Sequence, residues 1–441
     1  MNMTDDLTNG NIRNQLILLA LPLILGNIFQ QLYNTVDTFI IGRYVGHTAF
    51  AAAGVAGSIM NLFIFVINGG CNGISIIFAE LYGERNLNVL RKESFLSFSS
   101  GCLVTAMLSV IGLLTLSPLL NMIRTPKEVQ VFAQDYLQII YPGLPAAFLY
   151  NWCSAALRAA GDTKTPLWIL MIAIALNSGL DYLFVACCDA GISGAAAATV
   201  LSQLFASLVC LAYMKRRHPY LLFSRNDIAF DRSLLLKTAN LGIVSALHQS
   251  SLYIGKLLVQ GTVNTAGTEI ISAYTMTTRI EGFANSFGDS GSTAISVFIA
   301  QNKGAGKTGR MKQGFKSGTK LMIVLGICLS AIMVLATPFA ITLFMGQVSD
   351  VVAKNVTAYM KLIAVFYVLC FTGNSFVGLY RGLGIVHIPV LGTVLHISIR
   401  VILSCLLIER MGLAAVAVAT GAGWIAVVAF QSILYACFLS E

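Results

Sequence analysis

The residues of this chain that could do chemistry stand out against an apolar background. Asp37 lies in the run from Gln15 to Gly42, beside Tyr33, Asn34, Thr35 and Thr38, among Leu, Ile, Phe and Val. An acid at the centre of a membrane helix costs roughly 2.5–3.5 kcal/mol, and more if it faces lipid unpaired. Asp37 is near the end of its run, so its cost is smaller, but it still requires a partner. A second group follows at Asn177 and Asp181, four apart and so on one helix face. Thr199, in the stretch GISGAAAAT, is one short hairpin further on. Two carboxylates with Asn, Thr and Tyr oxygens suit two tasks. Asp37, Asn177, Asp181 and Thr199 can ligate a hard cation such as Na⁺, which takes oxygen ligands. With Tyr33, the same groups can instead share a proton. The rival reading pairs each acid with a base, or has it face an aqueous vestibule.

The second half of the chain offers a basic counterpart. Lys256, Arg400 and His396 fall inside apolar runs, as do Glu281 and Asp289. Lys256 and Arg400 can pair with those acids, bind an anionic group of a substrate, or snorkel to the interface. Pro22, fifteen residues before Asp37, removes a backbone hydrogen bond and is the expected hinge of that helix. Other signals lead nowhere. Gly304-Ala305-Gly306-Lys307-Thr308 resembles a phosphate loop, but Gln301 stands where the first glycine is required. The histidines, His248 and His396 included, form no metal-ligand spacing, and the ten cysteines read as small buried hydrophobes. No cofactor is expected.

These residues need long apolar helices to position them. Of 441 residues 56% are hydrophobic and 11% charged, with mean hydropathy +0.78, where a soluble domain is about 25% charged. Twelve runs reach the roughly 20 residues that a membrane span needs: 15–41, 48–72, 94–118, 131–157, 165–187, 191–213, 234–261, 268–298, 315–340, 353–380, 387–408 and 412–438. A tail, 1–14, precedes them. The polar stretch 214–233 separates an N-lobe, 15–213, from a C-lobe, 234–438. The net charge of +9 sits between the runs, which is the mark of topology and not of nucleic-acid binding. Nineteen Lys and Arg, from Arg13 through the 215–237 and 303–320 clusters to Arg381, fall on one side. Five, Arg43, Arg124, Lys127, Lys354 and Arg410, fall on the other. That bias places both termini in the cytoplasm.

The halves repeat. GCNGISIIFAELYG at 70–83 returns as GSTAISVFIAQNKG at 291–304, and LRAAGDTKTP at 157–166 as YRGLGIVHIP at 380–389. Six spans per half make the repeats parallel, related by an axis along the membrane normal. Transporters of that build work by rocking their halves. An offset of 219, which aligns Gly42 with Gly261, sets Asp37 against Lys256, Asn177 against His396 and Asp181 against Arg400. The expected fold is an all-α polytopic membrane protein, twelve helices in two six-helix lobes, one acidic and one basic.

Twelve spans in two lobes, the Pro22-bearing first span and the LRAAGDTKTP loop together resemble the multidrug and toxic compound extrusion (MATE) transporters over about 15–438. Pro22, Tyr33 and Asp37 have the first-span spacing of its DNA-damage-inducible F-type branch, and Asn177, Asp181 and Thr199 match that branch's fifth and sixth spans. The resemblance implies that these residues form an N-lobe cation or proton site whose occupancy bends the first span and expels a drug. The norfloxacin-exporter branch uses acids in its seventh and tenth spans. Here the seventh has Lys256 and 353–380 has no acid. The expected function is a plasma-membrane antiporter, most simply a monomer, exporting amphipathic, often cationic drugs or toxic compounds for H⁺ or Na⁺. The alternatives are a lipid-linked oligosaccharide flippase of the same superfamily and, more remotely, a membrane enzyme.

Overall fold

The computed structural model describes residues 6–123, 125–345 and 349–440, so Arg124 lies outside the described residues, as do 1–5 of the tail. Twelve long helices appear where the apolar runs place them: α1 Ile12–Tyr44, α2 His47–Gly83, α3 Leu87–Met122, α4 Lys127–Ala159, α5 Lys164–Asp181, α6 Gly191–Arg217, α7 Arg232–Val263, α8 Thr268–Gly304, α9 Thr308–Met345, α10 Asp350–Gly382, α11 His387–Met411 and α12 Ala414–Ser440. Three of them, α2, α3 and α9, each overrun their apolar run by about three turns in all, because a helix keeps its backbone bonded internally after it leaves the hydrocarbon. Nine of them, among the described residues, are long and apolar enough to cross a membrane. The others, α4, α7 and α8, carry more polar residues; α8 alone holds Glu269, Arg279, Glu281, Asp289 and Lys303.

The chain divides into two compact units. Unit 1 takes in 21–246, and unit 2 takes in 7–20 and 247–441. The division falls within α1, beside Pro22, and within α7. In unit 1, α2 packs on α3 and α4, and α6 on α4 and α5. Trp152 is fully buried there; its indole N–H donates to Ser97 Oγ at 3.1 Å, with Phe78 and Phe98 edge-on to the ring. The stretch after α6 is part of this core and not a free connector. Leu221 is buried and its carbonyl accepts from Ser94 Oγ at 2.8 Å, while Phe223 meets Phe95 and Phe98. Ser224 N–H and Oγ–H both donate to Asp227 Oδ2, at 2.8 and 2.6 Å, and these bonds hold the Asp227 carboxyl below its usual range.

In unit 2, α10 packs on α8, α9 and α12, and α11 on α12. The segment before α1 is tied to this unit. Leu7 N–H donates to Gln301 Oε1 at 3.2 Å, and Arg310 donates to the carbonyls of Leu7 and Gly10 and to Gln15 Oε1 at 2.6–3.1 Å.

Two expectations change. Five cysteines, Cys187, Cys188, Cys328, Cys405 and Cys437, are exposed and not buried, which costs little where the surrounding medium is lipid. The register between the halves also shifts. The last residues of α1 and α7 differ by 219, which keeps Lys256 opposite Asp37. The first residues of α5 and α11 differ by 223, as do those of α4 and α10 and of α6 and α12. Arg400 therefore corresponds to Asn177, and Asp181 corresponds to Ser404. A single offset fails because the loops between helices differ in length between the halves.

Within each unit, helices approach through glycines. A Cβ on Gly382 of α10 would lie 2.6 Å from Ile299 Cβ and 2.7 Å from the Ser296 carbonyl oxygen. One on Gly378 would lie 2.6 Å from the Ser292 carbonyl oxygen. Gly378 and Gly382 form the small-xxx-small pattern that lets membrane helices close on each other without a hydrophobic drive. Gly382→Val should overpack this contact by about 1–3 kcal/mol or more and lower the thermal unfolding temperature of the purified protein. A variant melting with the parent would contradict the close α8–α10 approach.

Candidate functional site

Unit 1 gathers the predicted acid cluster. Asp37 and Tyr33 come from α1, Asn177 and Asp181 from the last turns of α5, and Thr199 from α6. The hydroxyls of Tyr33 and Thr199 are 3.2 Å apart, and Asn177 Nδ2 reaches Thr199 Oγ1 at 3.5 Å. Asp181 is wholly buried, Asn177 2% exposed and Thr199 7%. The Asp37 and Asp181 carboxyls lie within hydrogen-bonding reach of one another. Both oxygens of Asp181, Oδ1 of Asp37 and Oδ1 of Asn177 are buried with no hydrogen-bond donor. Two touching carboxylates cannot both stay charged in a low dielectric unless a proton or a metal cation lies between them. The arrangement can therefore hold one small cation, and its oxygens do not by themselves select H⁺ or Na⁺. Among the described residues no group of three or more His, Cys, Asp or Glu is placed to hold a metal ion, so a Na⁺ here would rest on two carboxylates with amide and hydroxyl oxygens. Pro22 is fifteen residues upstream on the same continuous helix, outside the cluster.

Two features of this site escaped the sequence. Immediately after Asp181, residues Tyr182–Cys187 wind as a π-helix, with Cys188 N–H bonded to the Leu183 carbonyl at 2.9 Å. Such widened turns recur at functional sites, and this one begins at the carboxylate. No residue pattern announces it. Tyr136 of α4 is buried and adds its hydroxyl beside Thr199 and Asp37. The repeat could have found it. At the α4–α10 offset of 223, Tyr136 corresponds to Tyr359, which also contacts an acid.

Unit 2 holds a cavity of about 220 Å³ that brings together all five residues named for this half: Lys256, Glu281, Asp289, His396 and Arg400. His248, Arg381 and Trp424 join them. The Tyr359 hydroxyl donates to Glu281 Oε1 at 2.7 Å. Trp424 stacks on the His396 ring, 6.1 Å between centroids and 6° between planes. Arg381 was counted with the loop charges. It is instead 6% exposed inside α10, which runs on to Gly382, and its Nη2 lies 2.8 Å from His248 Nδ1. A guanidinium only donates, so Nδ1 accepts and the proton of His248 is on Nε2. Among the described residues, the ion pairs within 4.0 Å are Arg85–Asp6, His218–Asp162 and Lys237–Glu80. Lys256 and Arg400 thus share a cavity with Glu281 and Asp289 without closing a salt bridge to either.

Comparison with known proteins agrees with this architecture. A family model described as MatE matches the chain twice, over residues 22–183 and 245–406. The chain is 30% identical over 385 residues to the probable multidrug resistance protein YpnP of Bacillus subtilis, covering 86% of this chain and 84% of that one. It is 26% identical to a protein of Shewanella oneidensis named as an FAD transporter, with 72% and 71% covered. A solved outward-facing multidrug resistance MATE family transporter of the MOP superfamily superposes with a TM-score of 0.92, at 21% identity, over 99% of this chain and 97% of that one.

The Tyr359–Glu281 bond joins a hydroxyl to an acid of this cavity, and it can be removed with little change of shape. Tyr359→Phe should cost about 1–3 kcal/mol, the price of leaving a buried acceptor without its donor. Thermal unfolding checks this, and an unchanged melting temperature would show that Glu281 does not depend on Tyr359.

Proposed function

The chain belongs to the MATE family of membrane transporters, and from that we propose that it is a secondary active antiporter exporting amphipathic small molecules in exchange for H⁺ or Na⁺. The observation that carries the reading is the adjacent pair Asp37 and Asp181, in which Asp37 Oδ1 and both Asp181 oxygens are buried without donors. A cluster that lacks one positive charge is suited to take up a coupling ion from one side and release it to the other. Tyr33, Tyr136, Asn177 and Thr199 supply the surrounding polar atoms. Pro22, beside the point where α1 passes from one unit to the other, is the natural place for the helix to bend when the pair changes occupancy. This assignment puts coupling in unit 1. The acids that would support a site in α7 and α10 are missing: Lys256 stands in α7, and α10 has no acid after Asp350.

The cargo is a small organic molecule, in keeping with relatives named for multidrug resistance and for FAD transport. The protein would sit in the cell membrane with both termini in the cytoplasm, as the distribution of Lys and Arg favours. It would act without a cofactor, as a monomer. Its likeness to the F-type branch rests on Pro22, Tyr33, Asp37, Asn177, Asp181 and Thr199.

Efflux of ethidium or norfloxacin from proteoliposomes, under an imposed ΔpH or ΔNa⁺, tests the assignment. Asp37→Asn and Asp181→Asn should each reduce gradient-driven efflux to the level of empty vesicles while melting near the parent. The gradient that drives the parent protein identifies the ion. Full efflux in both variants would remove the pair from coupling. Transport of a lipid-linked pyrophosphate oligosaccharide with neither drug exported would favour the flippase reading.

A further inference from the structure

The cavity in unit 2 has a charge balance that the antiport reading does not use. It is lined by three basic side chains, Lys256, Arg381 and Arg400, against two acidic ones, Glu281 and Asp289. Its two histidines do not offset this. His248 keeps Nδ1 turned to Arg381 as an acceptor, and His396 is stacked on Trp424. Within 4.0 Å none of these cations meets a carboxylate. One Glu281 oxygen is already taken by Tyr359, while Arg400 Nε is buried with no acceptor. An unpaired guanidinium nitrogen in a membrane interior costs free energy that an incoming anion would recover. The stacked pair His396 and Trp424 lines the same cavity.

We propose that this cavity binds an organic anion, an aromatic carboxylate or its like, with the anionic group at Arg400, whose Nε lacks an acceptor, Lys256 and Arg381 adding basic groups to the same wall, and the ring against Trp424. The volume of about 220 Å³ is below the 300–1,000 Å³ typical of whole drug sites, so it admits a ring system and its acid group and leaves any tail outside. Arg400 can take a carboxylate in its planar fork, whereas Lys256 acts as a point charge. The repeat shows how the site arose without changing the scaffold. Lys256 stands where Asp37 stands in unit 1, and Arg400 where Asn177 does, while Tyr359 keeps the place of Tyr136. The substrate class assigned here rests on the transporter reading above, but the binding itself needs no gradient.

Isothermal titration of the purified full-length protein in detergent with 2-naphthoate, and with 2-naphthylmethylammonium as the same ring carrying the opposite charge, tests the proposal. The carboxylate should bind at least about tenfold more tightly than the amine. Arg400→Gln and Lys256→Gln should each weaken it by about tenfold, the scale of one charge-assisted hydrogen bond. Asp289→Asn should strengthen it, and Lys354→Gln, an exposed cation outside the cavity, should leave it unchanged. Melting temperatures identify any variant that fails to fold, in which case the predicted gain in Asp289→Asn still decides. Equal or tighter binding of the amine would overturn the proposal, as would unchanged affinity in folded Arg400→Gln and Lys256→Gln or no gain in Asp289→Asn. The outcome is separable from coupling. Anion binding with efflux intact in the Asp37 and Asp181 variants leaves this site standing and removes the coupling pair, and the reverse result does the opposite.

Discussion

The hydrocarbon interior offers no water, so every polar group at that depth must find its partner within the protein. Hydroxyls solve this locally. Thr35 bonds the Gln31 carbonyl at 3.0 Å, Thr38 that of Asn34 at 2.7 Å and Thr337 that of Met333 at 2.6 Å, each one turn back on its own helix. A carboxylate or guanidinium cannot be neutralised by its own helix. It must meet groups from other helices, and each unit holds one such gathering: Asp37 with Asp181, and Lys256, Arg381 and Arg400 with Glu281 and Asp289. The positions of those clusters are a consequence of where a solitary charge is least tolerable. Their chemistry follows from which signs of charge were collected.

Bringing such groups together requires helices that close tightly without the aid of a hydrophobic drive. Glycines at Gly378 and Gly382 admit α8 against α10, and Gly69 and Gly73 of α2 admit the backbone of α7 at Leu241–Ala246 in the same way. Each pair is spaced by four residues, one turn of one face. Close backbone contact leaves little room for sliding, so the side chains carried by these helices are held in register with their partners. The buried Glu93 illustrates the result. Thr238 Oγ1 lies 2.8–2.9 Å from both Glu93 oxygens, so the one hydroxyl proton can serve either, between α3 and α7.

Hydropathy and period were enough to place all twelve helices, because a span has a minimum apolar length and its ends are marked by Gly, Pro and charge. Asp37, Asn177, Asp181 and Thr199 were visible because an expensive residue in an apolar run has few structural excuses. What stayed hidden depended on a third dimension or on backbone geometry. Tyr136 is an unremarkable residue until α4 is laid against α1 and α6. The π-helical turn after Asp181 has no residue signature. Arg381 passes for a loop charge because hydropathy falls before the helix ends, and only its bond to His248 shows that it points inward. The pairing of Arg400 with Asp181 failed for a related reason. An offset measured on α1 and α7 was carried across loops that differ in length, and four residues of error is one helical turn.

The corrected register says more about the two clusters than the original did. Tyr136 and Tyr359 occupy the same position and each stands by an acid, so the hydroxyl belongs to the scaffold and not to either site's specificity. What differs includes Asp37 against Lys256, Asn177 against Arg400 and Asp181 against Ser404, on the first and fifth helices of the repeat. Two like charges in contact, as in unit 1, create a deficit that one small cation corrects. Cations in excess over acids, as in unit 2, create a deficit that only an anion corrects. A proton or sodium ion cannot serve both. The repeated six-helix plan therefore carries side-chain clusters of opposite sign, each enclosed within its own unit.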